Sequence, residues 1–133
     1  MQQKDFILRE IEKISALLLA IIGKLIPSKS IEEQQQTEEL INNQLEEHYG
    51  NDLNYILNIN KIDFETEFTR NKGFTFENIE LLADLLFTLG NNHFEIKTNY
   101  LIKSVELYKY IDTANRTFSF ERIEKIKRIE FIL

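Results

Sequence analysis

Cysteine is absent from this chain of 133 residues. No disulfide, thiolate metal site or cysteine nucleophile can be built from it, and the absence fits a reducing compartment. Proline occurs once and glycine four times. So few breakers favour long helices over a strand-and-turn architecture. Basic residues are missing from the whole stretch between Lys29 and Lys61, where Glu32, Glu33, Glu38, Glu39, Glu46, Glu47 and Asp52 collect. The net charge of −6 opposes nonspecific nucleic-acid binding, which depends on Lys and Arg neutralising phosphates. The missing cations reappear late, as Arg116, Arg122, Lys125, Lys127 and Arg128. An acidic middle and a basic end predict either two solvated helix faces or an attraction, within the fold or between subunits.

Nor is any apolar run long enough to cross a bilayer. Residues 14–26 make about a dozen positions with Lys24 among them, against the ~20 that a spanning helix needs. The same run is a poor secretory signal, because Asp5, Glu10 and Glu12 offset Lys4, Arg9 and Lys13 and no small-x-small cleavage site follows. A soluble, cytoplasmic, single-domain protein is expected.

What the chain does carry is a repeated phrase. Residues 74–80, Phe-Thr-Phe-Glu-Asn-Ile-Glu, return 44 positions later as Phe-Ser-Phe-Glu-Arg-Ile-Glu at 118–124. In each copy a hydroxyl, Thr75 or Ser119, is placed to accept a hydrogen bond from an orphan N–H of a first helical turn. Glu77 and Glu121 sit where the helix dipole favours negative charge. Phe74 with Ile79, and Phe118 with Ile123, have the spacing of a hydrophobic staple. The phrase predicts two similarly started helices and a duplicated helix–turn–helix unit.

Periodicity fills in the rest. A first helix is predicted over residues 4–26, with Ile7, Ile11, Ile14, Leu18, Ile21 and Leu25 along one seam. Residues 16–22 make it apolar all round, which calls for burial on several sides: in the domain core, in an oligomer core, or at a membrane surface. A polar link from residue 28 winds into a thin-striped helix ending near His48, with Leu40, Ile41 and Leu45 as its apolar side. Gly50 ends it, and Asn51 or Asp52 caps a short helix carrying Leu53, Ile56 and Leu57. Residues 61–68 suit helix or strand equally. After Thr75, Ile79, Leu82, Ala83, Leu86 and Phe87 share one helical face. A helix over residues 95–113 follows, with Leu101, Val105, Tyr108 and Ile111 on one side. The last helix carries Phe120, Ile123, Ile126, Ile129 and Leu133, and its apolar end is expected to be docked.

Residues 85–90, Leu-Leu-Phe-Thr-Leu-Gly, with the following Asn-Asn-His-Phe, resemble the end of a tetratricopeptide-type first helix and its turn. Residues 103–108 resemble the tail of the second helix. The repeat's tryptophan and closing proline are absent, and the 44-residue spacing exceeds its period of about 34. More broadly, the opening phrase at 5–12 and the closing phrase at 118–122 are similar to those of a group of small, uncharacterised bacterial helical proteins. The resemblance implies an all-α array of helical hairpins and no particular chemistry. The expected layout is an apolar N-terminal helix (1–27), an acidic connector with short helices (28–72) and a tetratricopeptide-like hairpin region (73–133).

Catalytic signatures do not emerge. His48 and His93 are the only histidines, and neither completes a Glu-x-x-His pair, since Leu45 and Gly90 lie three residues before them. His48 beside Glu46 and Glu47 offers an adventitious zinc contact at most, and His93 suits a surface or capping role in a turn. Neighbours such as Glu38 and Glu39 project about 100° apart on a helix and make poor acid–base partners. No Gly-rich loop precedes a Lys-Ser/Thr pair, and no Gly-x-Ser-x-Gly occurs. No catalytic, cofactor-binding or metal-ligating residue is assigned. Tyr100, Tyr108 and Tyr110, with Phe87 and Phe94, are the candidate lining of a peptide groove, although core packing also accounts for the phenylalanines.

The expectation is a non-enzymatic interaction or scaffold protein. It would self-associate, as a dimer first of all, by packing the seam Ile7, Ile11, Ile14, Leu18, Ile21 and Leu25 as a buried anchor. It would have no cofactor and no nucleic-acid partner, and a protein or peptide partner is compatible with it. The alternatives are a peripheral membrane adaptor using the first helix, and a small ligand-binding protein or enzyme without a motif.

Overall fold

Helix starts in this chain are written in side-chain caps. Ser30, Asp52, Thr75 and Ser119 each accept a hydrogen bond from the backbone N–H three residues ahead, at 2.9–3.3 Å. The Ser30 start is reinforced by Glu33, whose carboxylate accepts the Lys29 N–H at 2.7 Å. The structure, a computed structural model, describes residues 2–91 and 94–133. Among them the chain is all-helical, without a strand. The elements are α1 (Gln2–Lys24), α2 (Ile31–His48), α3 (Leu53–Leu57), a 3-10 turn (Lys61–Asp63), α4 (Phe64–Arg70), α5 (Phe76–Gly90), α6 (Thr98–Ala114) and α7 (Phe120–Ile132).

The ambiguous segment after Lys61 is therefore helical. Phe64 and Phe68, four apart, both turn inward and stack against each other, with ring centroids 5.8 Å apart. Gly50 takes φ 91°, the left-handed conformation that closes α2, and its N–H bonds the Leu45 and Glu46 carbonyls. After α6 the Asn115 N–H bonds the Ile111 carbonyl, and Arg116 takes the left-handed conformation at φ 51° without being a glycine. The α5–α6 turn is closed by the Lys97 N–H donating to the Gly90 carbonyl at 2.9 Å.

The helix that is buried on several sides is α5, not α1. Asn78, Ile79, Leu82, Ala83, Leu85, Leu86, Leu89 and Gly90 are all buried, which leaves α5 little free surface. It packs between α1 and α6; α2 packs on α1 and α3, and α7 on α6. From α1 only Ile14, Leu18 and Ile21 are buried, while Ala16, Leu19 and Ala20 face out. The run 16–22 thus supplies one inward stripe. Its other side has no covering helix among the described residues.

Two further expectations are corrected. Leu40 points outward at 66% exposure, and α2 buries Gln34, Ile41 and Leu45 instead. At the chain end Phe131 is 92% exposed. Ile126 and Ile129 fix the inner face of α7, and Phe131 lies about 200° round the helix from Ile129. Only the Thr75 copy of the repeated phrase carries its leading Phe into the core. Phe74 is buried, whereas Phe118 is exposed, its ring edge-on to Phe120 at 4.8 Å.

Gly73 marks how closely α1 approaches the start of α5. A Cβ there would stand 2.8 Å from Ile14 Cγ1 and 2.9 Å from the Glu10 carbonyl oxygen. Backbone cannot yield as a flexible side chain does, so Gly73→Ala is expected to destabilise the fold by about 1–3 kcal/mol. Gly23 in α1 has nothing within 4 Å of the same position. Gly23→Ala should stabilise by a few tenths to about 1 kcal/mol. Urea midpoints of the two variants check both signs, and a Gly73→Ala midpoint equal to that of the parent chain would refute the close-packing account.

Candidate functional site

The residues singled out by sequence divide into three groups in space. Along α1, Ile14, Leu18 and Ile21 lie in the core cluster. Leu25 is partly buried against it, and Ile7 and Ile11 are half-buried. The middle of the seam is therefore enclosed within this chain and cannot touch a second one while the fold is intact. What α1 leaves in water is Phe6, Leu8 and Leu19.

The three tyrosines do not converge on one groove. The Tyr108 hydroxyl donates to Asp84 from within the core, under the Lys125 ammonium at 5.6 Å from the ring centroid. Burial, then the Asp84 carboxylate, push this phenol far above its ordinary range. Tyr100 is buried at the α2–α6 contact, where burial and Glu38 raise its phenol, and Glu38 pairs with Lys97. Tyr100 also borders a polar hollow with Glu38, Asn42 and Leu53, and Tyr110 reaches a different, open apolar cleft. Phe87 lines a separate hollow with Leu25, Ile26 and Pro27.

The open cleft at Tyr110 is a large apolar concavity. It is a groove of about 910 Å³ between the 3-10 turn, α4, α6 and the end of α7. Phe64 and Tyr110 form its floor, edge-on to each other at 5.6 Å, and Ile62, Ile102, Val105 and Leu133 form its walls. Ile62, Ile102 and Leu133 are exposed. Beneath the floor the ammonium of Lys103 sits 5.2 Å from the Phe64 ring centroid, donates to the Ile59 carbonyl and pairs with Glu106 at 2.7 Å. Lys61, Lys109 and Glu130 stand on the rim without an ion-pair partner among the described residues. Sequence reasoning missed this site because Ile62 and Ile102 fall outside the helical stripes. They are the apolar residues left over once Phe64–Phe68 and Leu101–Tyr108 are assigned inward, and that remainder was the available signal.

The polar groups are mostly turned on one another. Arg122 is buried, and its guanidinium bonds Asp112 at 2.7 Å, Glu80 at 2.8 Å and both oxygens of Thr117. Lys125 adds Asp84 at 2.9 Å. The network ties α7 to α5 and α6. Two of the five cations of the basic chain end thus point inward and meet carboxylates of α5 and α6, not the acidic stretch of α2. Burial opposes the Arg122 charge, and its bonds to Glu80 and Asp112 outweigh that and raise its pKa. Asn78, the counterpart of Arg122 in the repeated phrase, is also buried and donates to the Gly73 and Ile11 carbonyls. Elsewhere Glu67 accepts from both Tyr49 and Tyr55 hydroxyls at 3.1 and 2.8 Å.

His48 lies 4.0 Å from the Glu47 carboxylate. No group of three or more His, Cys, Asp or Glu among the described residues is placed to hold a metal ion, and His93 lies outside those residues. Among the described residues no helix is long and apolar enough to cross a membrane. No family model, curated protein or solved structure matches the chain.

Two outcomes follow. Arg122→Met leaves Glu80 and Asp112 facing each other and is expected to cost about 2–4 kcal/mol of stability, with Arg122→Lys recovering less than half, since an ammonium cannot span the same partners. Chemical denaturation of the two variants decides it, and full recovery by lysine would refute the fork geometry. The second concerns pH. All five tyrosines have phenols raised above the ordinary value of 10.0. A raised phenol contributes stability that is fully present below 10.0 and fades as pH climbs past it, because the unfolded chain ionises first. Alkaline titration by phenolate absorbance should show Tyr49, Tyr100 and Tyr108 ionising together with loss of helical circular dichroism. Reversible ionisation of all five near pH 10 with the helix signal intact would contradict it.

Proposed function

We propose that this protein is a non-enzymatic interaction module that receives an apolar helix or peptide of a partner in the groove between α4, α6 and α7. The observation that carries the reading is the groove itself: an apolar floor and walls open to solvent, rimmed by unpaired charges, in a chain whose other polar clusters are engaged with one another. Helix-in-groove recognition needs just such a surface, with apolar anchors at i, i+3, i+4 and i+7 of the guest. Lys61 and Lys109 on the rim favour a guest with acidic flanks. The α5–α6 hairpin with α7 laid on α6 supports the finer description of a tetratricopeptide-like array, which presents such concave surfaces.

Self-association through α1 keeps a narrower form than the seam predicts. With Ile14, Leu18 and Ile21 in the core, the contact would rest on Phe6, Leu8 and Leu19, helped by Ile7, Ile11 and Leu25 at the edges. A non-enzymatic role accords with the mainly apolar floor and walls of the groove and with the engagement of Arg122, Lys125, Asp84 and Glu67 in internal bonds elsewhere. A small apolar ligand is the alternative occupant of the same groove.

The test is selection from a displayed library of random peptides of about 15 residues against the full chain. Enriched sequences should be amphipathic at helical spacing and should bind Ile102→Glu at least about tenfold more weakly. Ile31→Glu, exposed on α2, should leave binding unchanged. Absence of enriched peptides, or enriched peptides indifferent to Ile102→Glu, would remove this reading.

A further inference from the structure

We infer that the outer face of α7 is a self-complementary interface for a second copy of this chain. At 100° per residue, Phe120, Glu124, Lys127 and Phe131 fall within an arc of about 60°. That arc lies opposite Arg122, Ile126 and Ile129, which hold α7 to the fold. All four are exposed, the two phenylalanines at 75% and 92%, and they lie about 16 Å apart along the helix. Phenylalanines so exposed at both ends of one stripe have no role in the packing of α7 onto α6.

The order of the stripe identifies the occupant. Positions 120 and 131 are equidistant from its middle, and so are 124 and 127. A two-fold axis there, with two α7 helices antiparallel, sets Phe120 against the partner's Phe131 and Glu124 against the partner's Lys127. The same axis repeats both contacts in reverse. Glu121 and Arg128 share one flank of the stripe, and the axis brings Glu121 towards the partner's Arg128 as well. None of these four charged groups has an ion-pair partner among the described residues. Every charge on the face therefore meets its opposite in the antiparallel pair. A parallel arrangement would oppose like charges. The balanced signs also distinguish the face from a lipid-binding one, which is rich in cations.

The phenyl pairs supply affinity and the charge pairs supply register. One helix pair covers less than the roughly 1,600 Å² of a standard interface, so the dimer is concentration-dependent, and it closes on itself rather than growing into fibres. The face is separate from the groove walls at Ile62 and Ile102, so the inference stands whatever occupies the groove.

Sedimentation velocity of the full chain over a concentration series tests it. The expected result is a monomer–dimer equilibrium that loosens as salt rises. Glu124→Lys alone and Lys127→Glu alone each place like charges opposite one another twice, and each should weaken the dimer at least about tenfold. An equimolar mixture of the two variants should recover it as a heterodimer, since one then presents only lysines and the other only glutamates at these positions. The double variant Glu124→Lys/Lys127→Glu restores the order in reverse and should dimerise like the parent chain. Far-UV circular dichroism verifies that each variant folds. A parent chain that stays monomeric, single variants that dimerise normally, or a mixture of folded variants that stays monomeric would each overturn the proposal.

Discussion

A helix that buries Asn78, Ile79, Leu82, Ala83, Leu85, Leu86, Leu89 and Gly90, an arc of about 160° at 100° per residue, is too broadly buried for one neighbour to cover, and α5 is such a helix. Its need for cover on more than one side sets the arrangement of the rest. α6 returns on it through a turn closed at Gly90, where a Cβ would stand 2.8 Å from the buried Leu101. α1 comes from the far end of the chain to take another side. α2 packs on α1 and α7 on α6, with α7 reaching α5 through the ion pairs of Arg122 and Lys125 to Glu80 and Asp84, which is why α2 and α7 have so much exposed surface.

The two copies of the repeated phrase do the same local work for different neighbours. In the first, the Thr75 cap starts α5 and Asn78, three residues in, donates to the Gly73 carbonyl behind it and to the Ile11 carbonyl on α1. In the second, the Ser119 cap starts α7 and Arg122 donates to the Thr117 carbonyl behind it and to Asp112 on α6. The residue at the third helical position is thus a clamp: one hydrogen bond holds the chain that enters the helix, and another holds the helix against its neighbour. The longer arginine reaches carboxylates on both α5 and α6, where the shorter asparagine reaches only backbone. The phrase is a joint, and its recurrence accounts for the similar way in which α5 and α7 are attached.

Much of the fold was legible in the chain because caps are local. The Ser119, Thr75 and Asp52 starts, the Gly50 stop and the all-helical class follow from side chains and their neighbours within a few residues. What stayed hidden depends on distant segments. Residues 16–22 carry apolar groups in every direction, so nothing local says which side α5 will cover. Phe131 looks like a core residue until Ile126 and Ile129 have been assigned inward. Arg122 reads as part of a basic surface because its three carboxyl and hydroxyl partners lie at positions 80, 112 and 117. The groove was missed for the same reason: its floor and walls are gathered from the 3-10 turn, α4, α6 and α7, and only their assembly makes a concavity. Of the three tyrosines, Tyr110 lines the groove, while Tyr100 and Tyr108 meet the carboxylates of Glu38 and Asp84.

The contact between α1 and α5 also has a consequence in time. The inward stripe Ile14, Leu18 and Ile21 has its cover in a helix that ends at residue 90. During synthesis from the N-terminus, α1 is complete long before α5 exists, and through that interval its apolar stripe lacks its main cover, with α2 the one neighbour already made. The closest segment to follow, residues 28–39, is polar and acidic. Apolar surface left partly uncovered in this way favours wrong contacts between nascent chains. The acidic stretch at 32–47 emerges directly after that helix, where like charges oppose the close approach of one such chain to another.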